Sequence, residues 1–424
     1  MERKTLENNK ESRDHAVLVG LRSPVLGEDS ADEESLMELS ELVDTAGGDT
    51  AGIILQSREK PDPHSFIGEG KVEEVKRMVD NEKATMVIFD NDLSPSQIRV
   101  LTELLGVQVI DRSGLILDIF AQRARTREGR LQVELAQYKY LLPRLLGMWT
   151  HLERQEGAIG TRGPGEKKLE IDRRRIKRRI FELSEELNEI EKQRSLRRAR
   201  REKNSTPVVA LVGYTNAGKS TLLNALTDAS VLAEDMLFAT LDPVVRQAEL
   251  PNGTEVLISD TVGFINKLPH DLVEAFRSTL EEAANADIIL HVVDRSSPYY
   301  ESQMAVVEDV LSKLGALDIP RINVYNKCDL TGERTPNDGV FISAAKGTGI
   351  DELLEQIESR INSGRLEVDL VVPYDKYEAM NVIRAEGRIL KEDHQGDGAH
   401  LKIQINETAL WKLKRMLGEG YGQN

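Results

Sequence analysis

At 424 residues, with 40% hydrophobic content, the chain can form two to four packed domains. One cysteine, Cys328, excludes an internal disulfide framework and suits a reducing compartment; no apolar run reaches the length of a membrane span and the start is charged, so a cytoplasmic protein with no signal peptide and no integral membrane association is expected. The net charge of −16 argues against nucleic acid only if it is evenly spread, and it is not: Arg162–Lys203 holds 16 Lys or Arg against 9 Asp or Glu, a local excess of +7.

The first stretch alternates short apolar runs (His15–Leu21, Ala51–Ser57, Met86–Phe89, Val107–Ile110) with helical patterns (Glu34–Ala46, Lys71–Val79, Pro95–Leu105, Leu115–Ala121). That alternation predicts a small parallel α/β domain over residues 1–128. Gly68-Glu69-Gly70-Lys71 opens one of these helices but lacks the full spacing of a phosphate loop, and reads as a Gly-rich turn. A helical arm is expected over 129–204, its two limbs carrying apolar residues mostly three or four apart, as in an antiparallel coiled coil. The Gly-rich loop 147–165 separates the limbs and carries Trp149, His151, Arg154 and Arg162, types suited to stacking and phosphate contact. Four arginines (Arg123, Arg125, Arg127, Arg130) precede the arm, and its second limb is the basic segment noted above.

After a short polar linker, Val208–Val212 reads as a buried strand and Thr221–Leu226 as a helix, with Gly213-Tyr214-Thr215-Asn216-Ala217-Gly218-Lys219-Ser220 between them. This is G-x-x-x-x-G-K-[ST]: the backbone curls around phosphate oxygens, Lys219 brings charge to the β and γ phosphates, and Ser220 offers a hydroxyl to Mg²⁺. Asn326-Lys327-Cys328-Asp329 follows the expected strand Arg321–Tyr325 and fits N-K-x-D. The Asp329 carboxylate can accept from guanine N1–H and its exocyclic amine, a donor pair that adenine lacks; Asn326 would tie the two loops together and the Lys327 stem would cover the base. Ser343-Ala344-Ala345 completes the base end. Asp260-Thr261-Val262-Gly263 ends the expected strand Glu255–Ser259 as D-x-x-G, with Asp260 on Mg²⁺ through water and the Gly263 N–H on the γ-phosphate. Phe238-Ala239-Thr240-Leu241-Asp242 holds the candidate switch threonine, Thr240, a further Mg²⁺ ligand that closes when GTP is present. The candidate GTP-binding set is therefore 213–221, 238–242, 260–263, 326–329 and 343–345, including Thr221; Lys219, Thr240 and Gly263 are the catalytic candidates.

Two residues stand out. Phe264 occupies the position where many small GTPases place a water-orienting glutamine, which predicts slow hydrolysis until another group or a partner positions the water. Asn216 is either a turn-former or a ligand for an activating K⁺. The G domain is expected to span 205–363, and 364–424 reads as a small α+β domain. The fold class expected is thus α/β: a P-loop GTPase domain with a mostly parallel sheet, preceded by the small parallel α/β domain and the helical arm, and followed by the α+β domain.

The motifs at 213–220, 238–243 and 260–264, with Val109-Ile110-Asp111-Arg112, Ala121-Gln122-Arg123-Ala124, Gly160–Glu166 and Asp172-Arg173-Arg174, make the chain resemble the bacterial HflX GTPases over nearly its full length. The resemblance implies a GTPase that binds the large (50S) ribosomal subunit and its rRNA, with ribosome splitting or stress rescue known among members. Arg154, Arg162, Arg173, Arg174 and Arg175 are the rRNA-contact candidates. A monomer with no DNA partner is expected. The competing readings are a GTP-gated assembly factor with incidental turnover and, from another class, an RNA remodeller using ATP through the N-terminal domain, where no second P-loop is visible.

Overall fold

The computed structural model describes residues 13–149, 164–202, 206–227, 236–238, 244–268, 283–331, 339–362, 365–376 and 378–417. Three sheets organise it. The chain divides into two compact units, 1–187 with 234–241 and 265–277, and the remainder.

In the first unit, β1 (His15–Arg22), α1 (Glu33–Thr45), β2 (Asp49–Ser57), α2 (Glu69–Glu82), β3 (Met86–Phe89), α3 (Pro95–Leu105), β4 (Gln108–Asp111) and α4 (Arg112–Arg123) alternate. The strands pair in the order β2-β1-β3-β4, all parallel. Parallel strands covered by helices on both faces need continuous apolar runs, and β1 supplies one: Ala16–Leu21 is buried throughout. Helix starts follow the side chains available. Asp32 and Ser35 form a capping box on α1, Ser94 and Gln97 form another on α3 with Pro95 at its first turn, and Asp111 caps α4. Gly68 is the N-cap of α2 and makes no side-chain cap, as a plain Gly-rich turn should. Two long helices, α5 (Arg127–Trp149) and α6 (Pro164–Glu202), follow. Glu134 of α5 holds Arg179 of α6 through both carboxylate oxygens at 2.9 and 3.0 Å, and Arg127 reaches Glu186 at 3.3 Å. Rising numbers on α5 meet falling numbers on α6, the antiparallel pairing expected of the arm. Leu183 is sealed from solvent.

In the second unit, β5 (Val208–Gly213), α7 (Lys219–Leu226), β6 (Val244–Glu249), β7 (Glu255–Asp260), β8 (Ile288–Asp294), α8 (Tyr300–Lys313), β9 (Arg321–Asn326), β10 (Gly339–Phe341) and α9 (Ile350–Asn362) build a six-stranded sheet. Its order is β10-β9-β8-β5-β7-β6, parallel except for the edge strand β6, which runs antiparallel to β7. The last segment forms β11 (Arg365–Val372), α10 (Glu378–Glu386), β12 (Gly387–Gln395), β13 (Gly398–Asn406) and α11 (Glu407–Leu417), an antiparallel sheet β11-β13-β12 with a core of its own that includes Ile383, Ile403 and Leu413. The α/β class and the mostly parallel GTPase sheet agree with expectation.

Four elements lie outside the expected set: β6, β8, α8 and β10. The strand β8 matters most, because it is central and buried along nearly its full length. It carries a polar residue, His291, that is 1% exposed. Burial, then the nearby Arg321 and Lys219, push the imidazole pKa down to about 4. The unfolded chain therefore takes up the proton first. His291 costs no stability above its ordinary pKa of 6.5, and progressively more as the pH falls from there towards 4. The expected loss at the acid end is about 3 kcal/mol. Denaturant unfolding from pH 7 to 4 should show it, and His291→Leu should remove this part of the acid sensitivity.

Candidate functional site: a phosphate loop and a base loop

The phosphate loop joins β5 to α7. Asn216 has φ +58° and Gly218 φ +90°, so the backbone turns twice through the left-handed region before the helix begins at Lys219. A side chain at Gly218 would run into Nδ2 of Asn326, so glycine is needed there for space as well as for conformation. For Asn216, the geometry accounts for asparagine as a residue that tolerates this turn. Lys219 is 6% exposed, and its ammonium donates to the carbonyls of Gly213 at 3.1 Å and Tyr214 at 2.7 Å. Burial lowers its pKa to about 8, against the pull of Asp260. Ser220 and Thr221 follow in the first turn of α7, and Ala217 lies in the core beneath.

The D-x-x-G segment leaves β7 beside this loop. Ser220 Oγ donates to Asp260 Oδ2 at 2.7 Å, and Asp260 is fully buried. Thr261 Oγ1 donates to Leu211 O at 2.7 Å, fixing the segment to β5. Phe264 is 1% exposed. Its N–H donates to Gly213 O at 3.1 Å and its carbonyl accepts from Thr215 N–H at 2.7 Å. The backbone of residue 264 thus clamps the two loops together, while the phenylalanine side chain is buried rather than facing solvent as a water-orienting glutamine would. Gly263 lies against Thr215 and Lys219: a Cβ built on it would come within 2.8 Å of Thr215 Cα and 3.0 Å of Lys219 Nζ. Thr215 is 6% exposed and its hydroxyl has no protein partner, leaving it for whatever the loop binds.

At the base end, Asn326 is the junction. Its Nδ2 donates to Ala217 O at 2.9 Å, and its Oδ1 accepts from Ala344 N–H at 3.0 Å. Lys327, at φ +61°, places its ammonium 2.8 Å from Asp294 Oδ2. Cys328 N–H donates to Ile342 O at 3.1 Å. Asp329 meets Lys346 Nζ at 3.1 Å, and its carboxyl is held below the usual range first by the Ser343 hydroxyl and then by Lys346. Ser343 and Ala344 are buried and Ala345 is exposed. Asp294 is the residue that sequence reasoning missed; its signal was a carboxylate closing the apolar run of β8.

Gly213–Thr221, Asp260–Gly263, Asn326–Asp329 and Ser343–Ala345 are thus gathered at one end of one sheet. Ala239, Thr240, Leu241 and Asp242 lie outside the described residues, as do Arg154 and Arg162. Phe238 belongs to the first unit, where its ring meets Phe120 edge-on with centroids 4.6 Å apart. Arg173, Arg174 and Arg175 follow one another on α6, with Arg174 and Arg175 exposed and Arg175 3.7 Å from Asp172. Asp329→Asn keeps the shape of the base loop but presents a donor where guanine also donates. It is expected to weaken GTP binding by at least about tenfold while xanthosine triphosphate gains relative to GTP; titration with fluorescent nucleotides checks this.

Four family models match in order along the chain: a GTP-binding GTPase N-terminal model over residues 33–121, a GTP-binding GTPase middle region over 123–201, a 50S ribosome-binding GTPase model over 208–327, and an HflX C-terminal domain over 332–424. The chain is 51% identical to the GTPase HflX of Caldanaerobacter subterraneus subsp. tengcongensis, covering 97% of this chain and 96% of the relative. It is 46% identical to GTPase HflX of Escherichia coli K12 over 81% of this chain and 82% of that one. Among solved structures, a GTP-binding protein from Sulfolobus solfataricus in complex with GDP is 25% identical, spans 82% of this chain and 99% of its own, and has a TM-score of 0.43. The identity and coverage of these relatives, with matching models along nearly the whole chain, show that this protein belongs to the HflX family of GTPases.

Proposed function

We propose that the protein binds GTP between the phosphate loop and the Asn326–Asp329 loop, hydrolyses it to GDP and phosphate, and does so chiefly on the large ribosomal subunit. The observation that carries the first part is Asn326, whose one amide joins the phosphate loop to the Ser343–Ala345 loop. Ribosome association is supported by the 50S ribosome-binding GTPase model over residues 208–327. The buried clamp at Phe264 favours it as well: a phenylalanine held by its own backbone orients no water, so turnover is slow alone and rises when a partner completes the site. Within this reading the chain works as four parts, 1–128, 129–204, 205–363 and 364–424, in the cytoplasm and as a monomer. The arginines of α6, with Arg154 and Arg162, are its rRNA contacts. Stress-linked splitting of ribosomes is the physiological role that fits such a factor.

Mg²⁺ fits the residues present. Ser220 and Asp260 supply hard oxygen donors, and no group of three metal-ligating side chains occurs among the described residues. An ion held by few protein oxygens and completed by phosphate and water matches the preference of Mg²⁺. When bound it neutralises charge building on the β and γ phosphate oxygens. Lys219 would orient the same phosphates, Gly263 N–H would contact the γ-phosphate, and Thr240 would supply a further ligand to the ion. K⁺ at Asn216 is a further element of this reading. Equal GTP turnover in sodium and potassium buffers would remove it.

Sedimentation with large subunits is the central test. Binding is expected with a non-hydrolysable GTP analogue and to weaken with GDP, and GTP turnover is expected to rise with added subunits. Binding without stimulation would favour the assembly-factor reading instead. Arg173→Glu, Arg174→Glu and Arg175→Glu together should weaken this binding most at low salt and reduce its salt dependence, while leaving GTPase of the free protein within about twofold.

A further inference from the structure

Lys327 is held at both ends. Its backbone has φ +61°, in the left-handed region that a lysine keeps only where its surroundings over-determine it. Those surroundings are backbone hydrogen bonds on either side. Asn326 O accepts from Arg295 N–H at 3.0 Å, Lys327 O accepts from Leu330 N–H at 3.0 Å, and Cys328 N–H donates to Ile342 O at 3.1 Å. The far end of the side chain is fixed as well, because its ammonium lies 2.8 Å from Asp294 Oδ2. The Lys327 and Asp294 side chains are 26% and 18% exposed, so water screens this pair less than it screens a pair on the open surface.

Asp294 is itself locked before it receives the lysine. It closes β8 and stands beside Asn326 in the parallel register with β9. Its Oδ1 accepts from Ser296 N–H at 2.9 Å and from Ser296 Oγ at 2.5 Å, an Asx turn that fixes the carboxylate and presents Oδ2 to Lys327. The same turn is held to α8, where the Arg295 guanidinium lies 4.3 Å from the centre of the Tyr300 ring. All of these residues belong to the second unit. Asp294 is part of no nucleotide motif. A lysine side chain loses more rotamer freedom on being ordered than almost any other. Here the fold orders it at backbone and ammonium together, which leaves the stem between them few conformations.

We propose that Asp294 is a positioning residue for nucleotide binding: by holding the Lys327 ammonium it keeps the stem of that lysine in place as an apolar wall against one face of the base. The proposal rests on the reading of GTP binding given above. An apolar wall does not distinguish the groups on the base edge, whereas the Asp329 carboxylate reads that edge. Asp294 therefore governs how tightly a purine nucleotide is held, and Asp329 governs which purine is held. The wall meets the base and not the phosphates, so it acts equally on GTP and GDP and leaves the chemical step alone.

The test uses the full chain without ribosomes, with affinities measured by competition against a fluorescent GDP analogue. The probes are GTP, GDP and inosine triphosphate, which lacks the exocyclic amine of guanine. Asp294→Asn keeps the size of the side chain and removes its charge. It is expected to weaken all three nucleotides by about three- to tenfold, with the ratio of GTP to inosine triphosphate affinity and the kcat for GTP each within about twofold of the unaltered protein. Lys327→Met keeps an apolar stem and removes the ammonium. Added to Asp294→Asn it should cost less than about a further twofold, since the tether is already broken. If Asp294 merely supported the shape of the base loop, its loss would displace Asp329 too, and GTP would lose affinity relative to inosine triphosphate. Should Asp294→Asn fail to fold, Lys327→Met breaks the same pair from the other side and is read against the same affinities. Unchanged affinities, a changed GTP to inosine triphosphate ratio, a fall in kcat, or additive losses in the double variant overturn the proposal. Failure of the unaltered protein to bind GTP sinks the functional reading and this proposal with it, whereas normal binding with an indifferent Asp294→Asn sinks this proposal alone.

Discussion

One side-chain amide carries the nucleotide site. Asn326 stands at the end of β9, its donor on Ala217 of the phosphate loop and its acceptor on Ala344. Both partners are backbone groups in a buried place, so each would cost about 1–3 kcal/mol if left unpaired. Around this junction the remaining restraints fall into order. Gly218 must be glycine because Asn326 occupies the space beside it, Cys328 pairs with Ile342, and Lys346 meets Asp329. A loop for phosphate and a loop for a base, from distant parts of the chain, become one site through a single residue that bonds to both.

The site contains charge that the fold does not leave to solvent. Lys219 is buried on two carbonyls with its pKa drawn down to about 8, so an anion entering the loop meets an ammonium already aimed and partly desolvated. Within the first unit, buried Asp90 accepts from Arg112 at 2.8 Å and from Lys267 at 2.6 Å, and this cluster follows another logic. Its charges are mutually satisfied, and breaking such a pair costs more than the pair itself contributes. Charge at the phosphate loop is thus kept for a ligand, and charge at the N-terminal sheet is spent on holding backbone.

The nucleotide motifs were legible because their chemistry is local. A phosphate loop needs glycine and lysine at set spacing, and N-K-x-D needs its asparagine and aspartate within four residues. Strands flanked by helices showed as continuous apolar runs, and the helical pattern Pro95–Leu105 coincides with α3. The central strand β8 was harder, because His291 interrupts its apolar run, and the short polar edge strand β6 has half-exposed and exposed residues that resemble a loop. At Asp294, Asp90 and Arg112 the sequence showed an acid or a base next to an apolar run but not its partner, since such a residue reads the same whether or not it finds one.

The sequence by itself determined the α/β class, the guanine-nucleotide motifs and their order, and the family, because each rests on residue type at short spacing. The tertiary structure decided which distant groups meet. Phe264 became a clamp through backbone atoms that any residue possesses, so no side chain could announce it. Asp90 and Lys267 pair only because parallel strands deliver their carboxyl ends to one edge, where a loop from far along the chain is received. The physical reason is common to both: motif spacing records contacts made within a turn or two, whereas packing brings together groups whose separation along the chain carries no information.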